Sequence, residues 1–542
     1  MTIDRILAKV TKPARYCGGE FGVAAPDRGA DVRFALCFPD TYEIGMSNLG
    51  IQILYALLNQ MDGIACERCF APWTDMAAEL RNAEMPLFAI ESGDPLSMFD
   101  VVGFSLGYEL AYTAMAEMLL LSGIEPLAKL REDSQPLIIA GGACMVNPEP
   151  IAPFVDLAIY GDGEDVLREV VALLRECKSN GLERREFLRR ASELEGVYVP
   201  SLSKDASGVK RRIVRDLDSA PFPLKPIVPN VEVVHDRAVL ELMRGCPNGC
   251  KFCQACFTGA PVRFKSVETL VGQAIAILKH TGSQELNLAS LSTGDYPHIE
   301  ELTARLLDYC EPRHINLSLP SLRANSISPE LMRRVQRTRK SGLTIAPEAG
   351  SQRLRDHINK NLSEDDILSA CRTGFQGGLG AVKLYFMIGL PSETDEDVNA
   401  IADLTYRVLE TWRESARDRR RGVLVTVSAA CFVPKPGTPF ASAVQNSIEE
   451  LERKIAILRE RLRGKSIKFS WHEPRVSYIE WKLATGGREL ADAILEVARS
   501  GKGLQAWDEF FDFKLWQNAL VNTVRWPEDY YAPYHGYTDP TE

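Results

Sequence analysis

Cys246, Cys250 and Cys253 form a C-x3-C-x2-C array just past the apolar run 238–243. Three thiolates on one tight loop cannot complete a four-ligand zinc site unaided. They can hold three irons of a [4Fe–4S] cluster and leave the fourth iron open. Gly245, Pro247 and Gly249 suit that purpose, because the chain must wrap round a cluster and approach it closely. A zinc knuckle competes, with Cys256 as fourth ligand through Cys253-x-x-Cys256. So does a buried group of structural cysteines. No second zinc half-site follows in the chain; strand and helix signals follow instead.

Those signals alternate about six times from residue 238. Strands are expected at 238–244, 285–291, 316–320, 342–346, 381–388 and 423–432, and helices at 267–279, 299–309, 329–339, 363–376 and 396–414. A run of βα units makes a parallel sheet, which right-handed crossovers curl into a (βα)6 partial TIM barrel. Chemistry in such barrels sits at the carboxyl ends of the strands. There the sequence is polar or glycine-rich: 292–296 with Gly294 and Asp295, 320–323 with Ser321 and Arg323, 346–351 with Glu348, 387–395 with Gly389, and 432–440. Ser392 or Thr394 can cap the helix that follows.

With Phe252 just before the third cysteine, the loop resembles that of the radical S-adenosylmethionine (SAM) enzymes. The last three strand-end stretches are similar to those of the methylthiotransferase-type branch of that family, and the resemblance covers about residues 232–470. It implies that Cys246, Cys250 and Cys253 ligate the cluster and form the catalytic centre, with Phe252 beside it. It implies Gly294 and Asp295 at the SAM amino group, Ser321 and Arg323 among the SAM-site residues, Glu348 at the ribose or a carboxylate-binding network, and Gly389 at the adenine. Cys256 becomes a neighbouring structural thiol, and Cys310, Cys371 and Cys431 buried fillers. The implied chemistry is reductive cleavage of SAM to methionine and a 5′-deoxyadenosyl radical, with the electron from a donor such as flavodoxin or ferredoxin.

Residues 31–200 also alternate short apolar runs with helical patterns, which predicts a Rossmann-like, doubly wound domain. Strands are expected at 32–38, 101–106, 137–140 and 157–160, and helices at 48–60, 109–121 and 163–175. Asp40, Tyr42 and Gly45 follow the first strand, Ser105 and Leu106 end the second, and Gly141-Gly142 end the third. Together they resemble the cobalamin-binding domain, whose elements are D-x-H-x-x-G, S-x-L and a late G-G. Tyr42 stands where the axial histidine would be, so a bound cobalamin is expected to lack a protein histidine on its lower face. The competing reading is a Rossmann-like domain without the cofactor, its glycines merely closing turns.

A chain of 542 residues calls for two or three domains, and 45% hydrophobic with 25% charged content is that of a globular protein. The expected plan is an amino-terminal arm (1–30), the Rossmann-like domain (31–200), a proline-rich linker (201–231), the core (232–470) and a short carboxyl-terminal extension (471–542) packed on the barrel through its tryptophans. No signal peptide or bilayer-spanning run is read, and thirteen scattered cysteines suit a reducing cytoplasm. Net charge of −10 gives nucleic-acid binding no support, although basic clusters at 333–334, 337–340 and 417–421 could line an RNA or polypeptide path. His472 beside Glu473 reads better as a surface or core-rim residue than as an acid–base pair.

The leading expectation is a cobalamin-dependent radical SAM methyltransferase acting on an unknown substrate. One alternative is a cobalamin-free, methylthiotransferase-like enzyme modifying RNA or protein. A second cluster would mark that one, with Cys17, Cys37, Cys66, Cys69 and Cys144 as candidates. A non-catalytic cobalamin or redox sensor is the other.

Overall fold

The computed structural model describes residues 3–319, 334 and 343–522, and these form two compact units. One unit is built from residues 3–236 together with 482–522, the other from Arg237–Trp481. No helix among the described residues is long and apolar enough to cross a membrane.

The first unit holds one sheet of β1 (Val32–Phe38), β2 (Ile64–Phe70), β3 (Val101–Ser105), β4 (Leu137–Gly141), β5 (Leu157–Ile159) and β6 (Val197–Tyr198). Its order is β2-β1-β3-β4-β5-β6, with β6 the antiparallel edge. This is the doubly wound arrangement, and its topological switch point lies between β1 and β3. β1 and β2 are buried along almost their whole length, as strands covered on both faces must be.

Sequence reading passes over β2 because Ile-Ala-Cys-Glu-Arg-Cys-Phe carries two charges in mid-strand. Both are buried by pairing. Arg33 donates to Glu67 at 2.8 Å, and Arg68 lies between Glu91 at 2.7 Å and Glu20 at 2.9 Å. Glu20 comes from the amino-terminal arm, so the arm is bolted into the core. Its Arg15 also donates to Glu43 at 2.7 Å.

The carboxyl-terminal residues correct the expected plan. Ile467–Trp471 is a strand of the second unit, whereas residues from 482 onward fold with the first unit. The helix Tyr112–Leu121 explains this, because it is apolar nearly all round and needs a second cover. Leu490–Arg499 packs against it, and Thr113 Oγ1 donates to the carbonyl of Gly503 at 2.6 Å. Asn147 Nδ2 donates to the carbonyls of Ala484 and Gly486, and Arg488 pairs with Glu149 at 2.8 Å. Trp516 is fully buried in this cover.

The second unit has two parallel sheets. One is ordered β11-β10-β7, from β7 (Ala238–Glu241), β10 (Glu285–Ala289) and β11 (Asn316–Ser318). The other runs β12 (Leu343–Glu348), β13 (Ala381–Ile388), β14 (Leu424–Cys431) and β15 (Ile467–Trp471). A short antiparallel pair, β8 (Met243–Arg244) with β9 (Arg263–Phe264), flanks the cysteine loop. All six expected strands are present. β15 is the seventh, straddling the expected end of the core at residue 470, where no strand is expected from sequence. The expected helix at 329–339 and the rest of 320–342 lie outside the described residues, Arg334 excepted.

Helices carry the strands. Ser363 and Asp366 form a capping box on Glu364–Gln376, and Thr394 with Asp397 forms another on Asp395–Ser415. Thr394 is therefore the cap; Ser392 is not, being left-handed at φ 63°.

Candidate functional site

The cysteine loop leaves β8 through Gly245 (φ 85°) and turns at Gly249 (φ 63°). A Cβ on Gly245 would lie 2.6 Å from the carbonyl oxygen of Gly259, so no larger residue fits the crossing. Phe252 anchors the loop by packing among Ala349, Leu354, Ile358, Leu390 and Phe432. These residues lie just beyond β12, β13 and β14, so the anchor holds the loop at the carboxyl ends of the strands.

The three thiols meet there, and the fourth joins them. Cys256 lies in the middle of the short helix Gln254–Thr258, which Cys253 precedes as N-cap, and its thiol is within hydrogen-bonding reach of Cys246, Cys250 and Cys253. That contact is the chief cause holding Cys246 down to about 5 and Cys253 to about 6. It also lowers Cys250, helped by the positive charge of Lys360. Cys256 itself is pushed up. Three thiols on one loop are the donor set that a cluster leaving one iron open would take from Cys246, Cys250 and Cys253.

Asn248 ties the loop to the end of β10. Its Nδ2 lies 3.2 Å from Cys246 Sγ and 3.0 Å from Asp295 Oδ2, and Ser292 Oγ donates to the same carboxylate oxygen at 2.7 Å. Asp295 is thus one amide away from the Cys246 thiol, with Gly294 beside it in a tight turn. On the other side Glu348 ends β12 after a bulge, left-handed at φ 67°. A glutamate rarely adopts that conformation, and such strain gathers at functional sites. Burial pushes its carboxyl up, although Lys360 lies 3.4 Å away.

Gly389 departs from expectation. Its N–H donates to Glu393 at 2.7 Å, so it is not offered to an adenine ring. A Cβ there would lie 2.9 Å from Leu451, so the glycine serves helix packing. Glu393 in turn pairs with the buried Lys454 at 2.8 Å. Ser321 and Arg323 lie outside the described residues, as do Arg333, Arg337, Arg339 and Lys340 of the basic clusters. Arg334 pairs with Asp308 and Glu311. His472 is exposed. Cys310, Cys371 and Cys431 are buried, as fillers are. Asn248, Asn359 and Lys360 are the site residues that sequence reading missed.

The strand ends of the first unit behave differently from one another. Tyr42 is only 2% exposed, and its hydroxyl donates to Glu20 at 2.8 Å and accepts the N–H of Asn230. It cannot face a corrin ring. Asp40 Oδ1 accepts from Trp507 Nε1 at 2.9 Å and from the N–H of Thr41. A Cβ on Gly45 would strike the ring of Phe70 at 2.3 Å, so this glycine seats helix on strand. The Asp40-x-Tyr42-x-x-Gly45 element is therefore taken up by the chain itself.

The ends of β3 and β4 leave backbone exposed. Gly107, Gly142 and Ala143 are exposed there, Ser105 and Gly141 stand paired in register, and nothing lies within 4 Å of where a Cβ on Gly107 would be. Among the described residues of this unit, no three thiols come together as a metal-binding group. Cys66 and Cys69 lie three apart on β2 and so project to opposite faces, and Cys37 meets Cys69 in register. Burial raises Cys37 and Cys66 well above the ordinary thiol range.

Two family models match the chain: "Radical SAM proteins, N-terminal" over residues 50–200 and "Radical SAM superfamily" over residues 240–405. An uncharacterized protein of Methanocaldococcus jannaschii, MJ0966, is 29% identical over 90% of this chain and 98% of its own length. A tRNA-2-methylthio-N(6)-dimethylallyladenosine synthase of Alteromonas mediterranea is 23% identical over 63% of this chain and 65% of its own. Among solved structures, the radical SAM methyltransferase TsrM from Kitasatospora setae, with cobalamin and a [4Fe-4S] cluster bound, shares the fold. The match covers 78% of each chain at a TM-score of 0.50 and 14% identity.

Proposed function

This chain belongs to the radical SAM superfamily and is an enzyme of that kind, and from that premise we propose that it transfers a methyl group with the help of a corrinoid. The observation that carries the SAM chemistry is the gathering of Cys246, Cys250 and Cys253 with Asp295, which Asn248 bridges to Cys246. When bound, the cluster supplies the single electron that cleaves SAM, and the corrinoid supplies a transferable methyl group. Asp295, already held by Asn248 and Ser292, would accept hydrogen bonds from the SAM ammonium, a charge-assisted contact. Lys360 brings positive charge beside Cys250 and pairs with Glu348 at 3.4 Å. A curled partial barrel would surround that space and exclude water. Ser105, Gly107, Gly141 and Gly142 would hold the corrinoid. An external donor such as flavodoxin or ferredoxin would supply the electron. The fold shared with TsrM and the open space beyond the carboxyl end of β3 support this reading.

The likeness to a tRNA methylthiolating enzyme favours a second reading, a cobalamin-free modification of RNA. The dispersed thiols of the first unit speak against it. Anaerobic reconstitution with hydroxocobalamin, followed by removal of the unbound fraction and cobalt analysis, separates the two. Near-stoichiometric cobalt supports the first, and iron without cobalt the second.

A further inference from the structure

The helix Gln352–His357 ends where the chain turns left-handed at Asn359, φ 56°. Asparagine is among the few residues that adopt this conformation readily. The turn delivers the Asn359 side chain to the cysteine loop. Its Nδ2 donates to the carbonyl oxygen of Gly249 at 2.8 Å and to that of Asn248 at 3.2 Å. The N–H of Lys251 returns a third bond, to the carbonyl of Ile358 at 3.0 Å. An amide nitrogen has two donors, and both serve this loop.

The consequence follows from the planar trans peptide, in which C=O and N–H point in opposite directions. Holding the Asn248 carbonyl turns the N–H of Gly249 away from Asn359. Holding the Gly249 carbonyl does the same for Cys250. The N–H one step earlier, on Asn248, already donates to the Cys246 thiol. Successive N–H groups around a left-handed glycine form an anion-binding concavity of the kind found at phosphate and iron–sulfur sites.

We infer that Asn359 is a positioning residue that sets the reduction potential of the cluster, by fixing the carbonyl side of residues 248–250 outward and their N–H side toward the cysteine sulfurs. This rests on the reading of Cys246, Cys250 and Cys253 as cluster ligands. Hydrogen bonds to cluster sulfurs stabilise the more negative, reduced state and raise the potential. Without Asn359 the two peptide units are free to turn, and reduction becomes harder.

Two variants test this. Asn359→Gly keeps a left-handed backbone and removes only the amide. Asn359→Asp keeps the shape but has no donor for the two carbonyls. The full chain is reconstituted anaerobically, iron per chain is counted, and the cluster is titrated with Ti(III) citrate as the one-electron reductant under electron paramagnetic resonance. At unchanged iron, the couple of Asn359→Gly is expected to move to more negative potential. The expected shift is about tenfold in the reduced-to-oxidised ratio at a fixed poise, or about 59 mV for one electron. Asn359→Asp is expected to move further in the same direction. Either variant holding wild-type iron at wild-type potential overturns the inference. A wild-type chain that holds no iron overturns the ligand assignment instead.

Discussion

Trp507 Nε1 donates to Asp40 Oδ1 at 2.9 Å across 467 positions of sequence. The bond joins the end of β1, at the switch point of the first sheet, to a segment that follows the last strand of the second unit. Trp73 completes the contact, with its ring edge-on to Trp507 at 5.2 Å and to Phe510 at 5.1 Å. The place where a doubly wound sheet usually receives its ligand is thus partly closed by the chain itself.

Trp507→Phe leaves that carboxylate without its indole donor. Burial pushes the Asp40 carboxyl above its ordinary 3.8, and Trp507 with the N–H of Thr41 pulls it part of the way back. A carboxyl raised in the folded state stabilises below its unfolded value and loses that stability as pH rises through the folded one. The variant raises it further, so its deficit is largest at neutral pH and shrinks in acid. Denaturant midpoints should show a loss of about 1–3 kcal/mol at pH 7.

Arg68→Met removes the cation between Glu20 and Glu91 and leaves two buried carboxylates facing each other. Breaking a buried ion pair costs about 3–5 kcal/mol. A drop of that size in the unfolding free energy of the first unit is expected, read by denaturant titration. Arg68 holds Glu20 below its ordinary 4.5 against burial, so this pair's contribution is present above 4.5 and fades as pH falls through the lower folded value.

Cys250→Ala should lose the cluster and all reductive SAM cleavage. Cys256→Ala should keep wild-type iron, because three thiols suffice to leave one iron open. Loss of iron in Cys256→Ala would make that thiol a fourth ligand.

Asp295→Asn keeps the shape beside Asn248 and removes the charge. A hydrogen bond to a charged group contributes about 1.5–3 kcal/mol. Affinity for SAM in the iron-loaded protein should fall about tenfold to a hundredfold, with iron content unchanged.

Two glycines separate room for a ligand from packing. Gly107→Phe fills the open space at the β3 end and should lower cobalt retention without lowering the melting temperature. Gly142→Ala places its Cβ 2.5 Å from the carbonyl oxygen of Leu106 at φ 107°, so it should lower the melting temperature itself. Tyr42→Phe should retain cobalt like the wild type, because the Tyr42 hydroxyl is turned to Glu20.

The parts readable from sequence are those whose residues declare their own environment. Apolar runs ending in glycine or polar residues locate β1, β3, β4 and the six expected strands of the second unit. The cysteine spacing locates the site. β2 escapes because Glu67 and Arg68 suggest a surface until their partners from distant segments are known. The cover formed by residues from 482 onward escapes for the same reason: an amphipathic helix does not state which apolar face it will meet. Tyr42 and Gly45 match a cofactor motif by type, yet a buried hydroxyl partner and the ring of Phe70 decide their roles. Asn359 carries no spacing signal, since its work depends on a left-handed turn and on two carbonyls in another loop.

The most direct measurement is product analysis after anaerobic reconstitution of the wild-type chain with iron and sulfide, incubation with SAM and Ti(III) citrate, and comparison with Cys250→Ala. The wild-type chain is expected to hold about four irons and, unlike Cys250→Ala, to form 5′-deoxyadenosine with methionine. Tightly held zinc in place of iron, with SAM recovered intact, would contradict it.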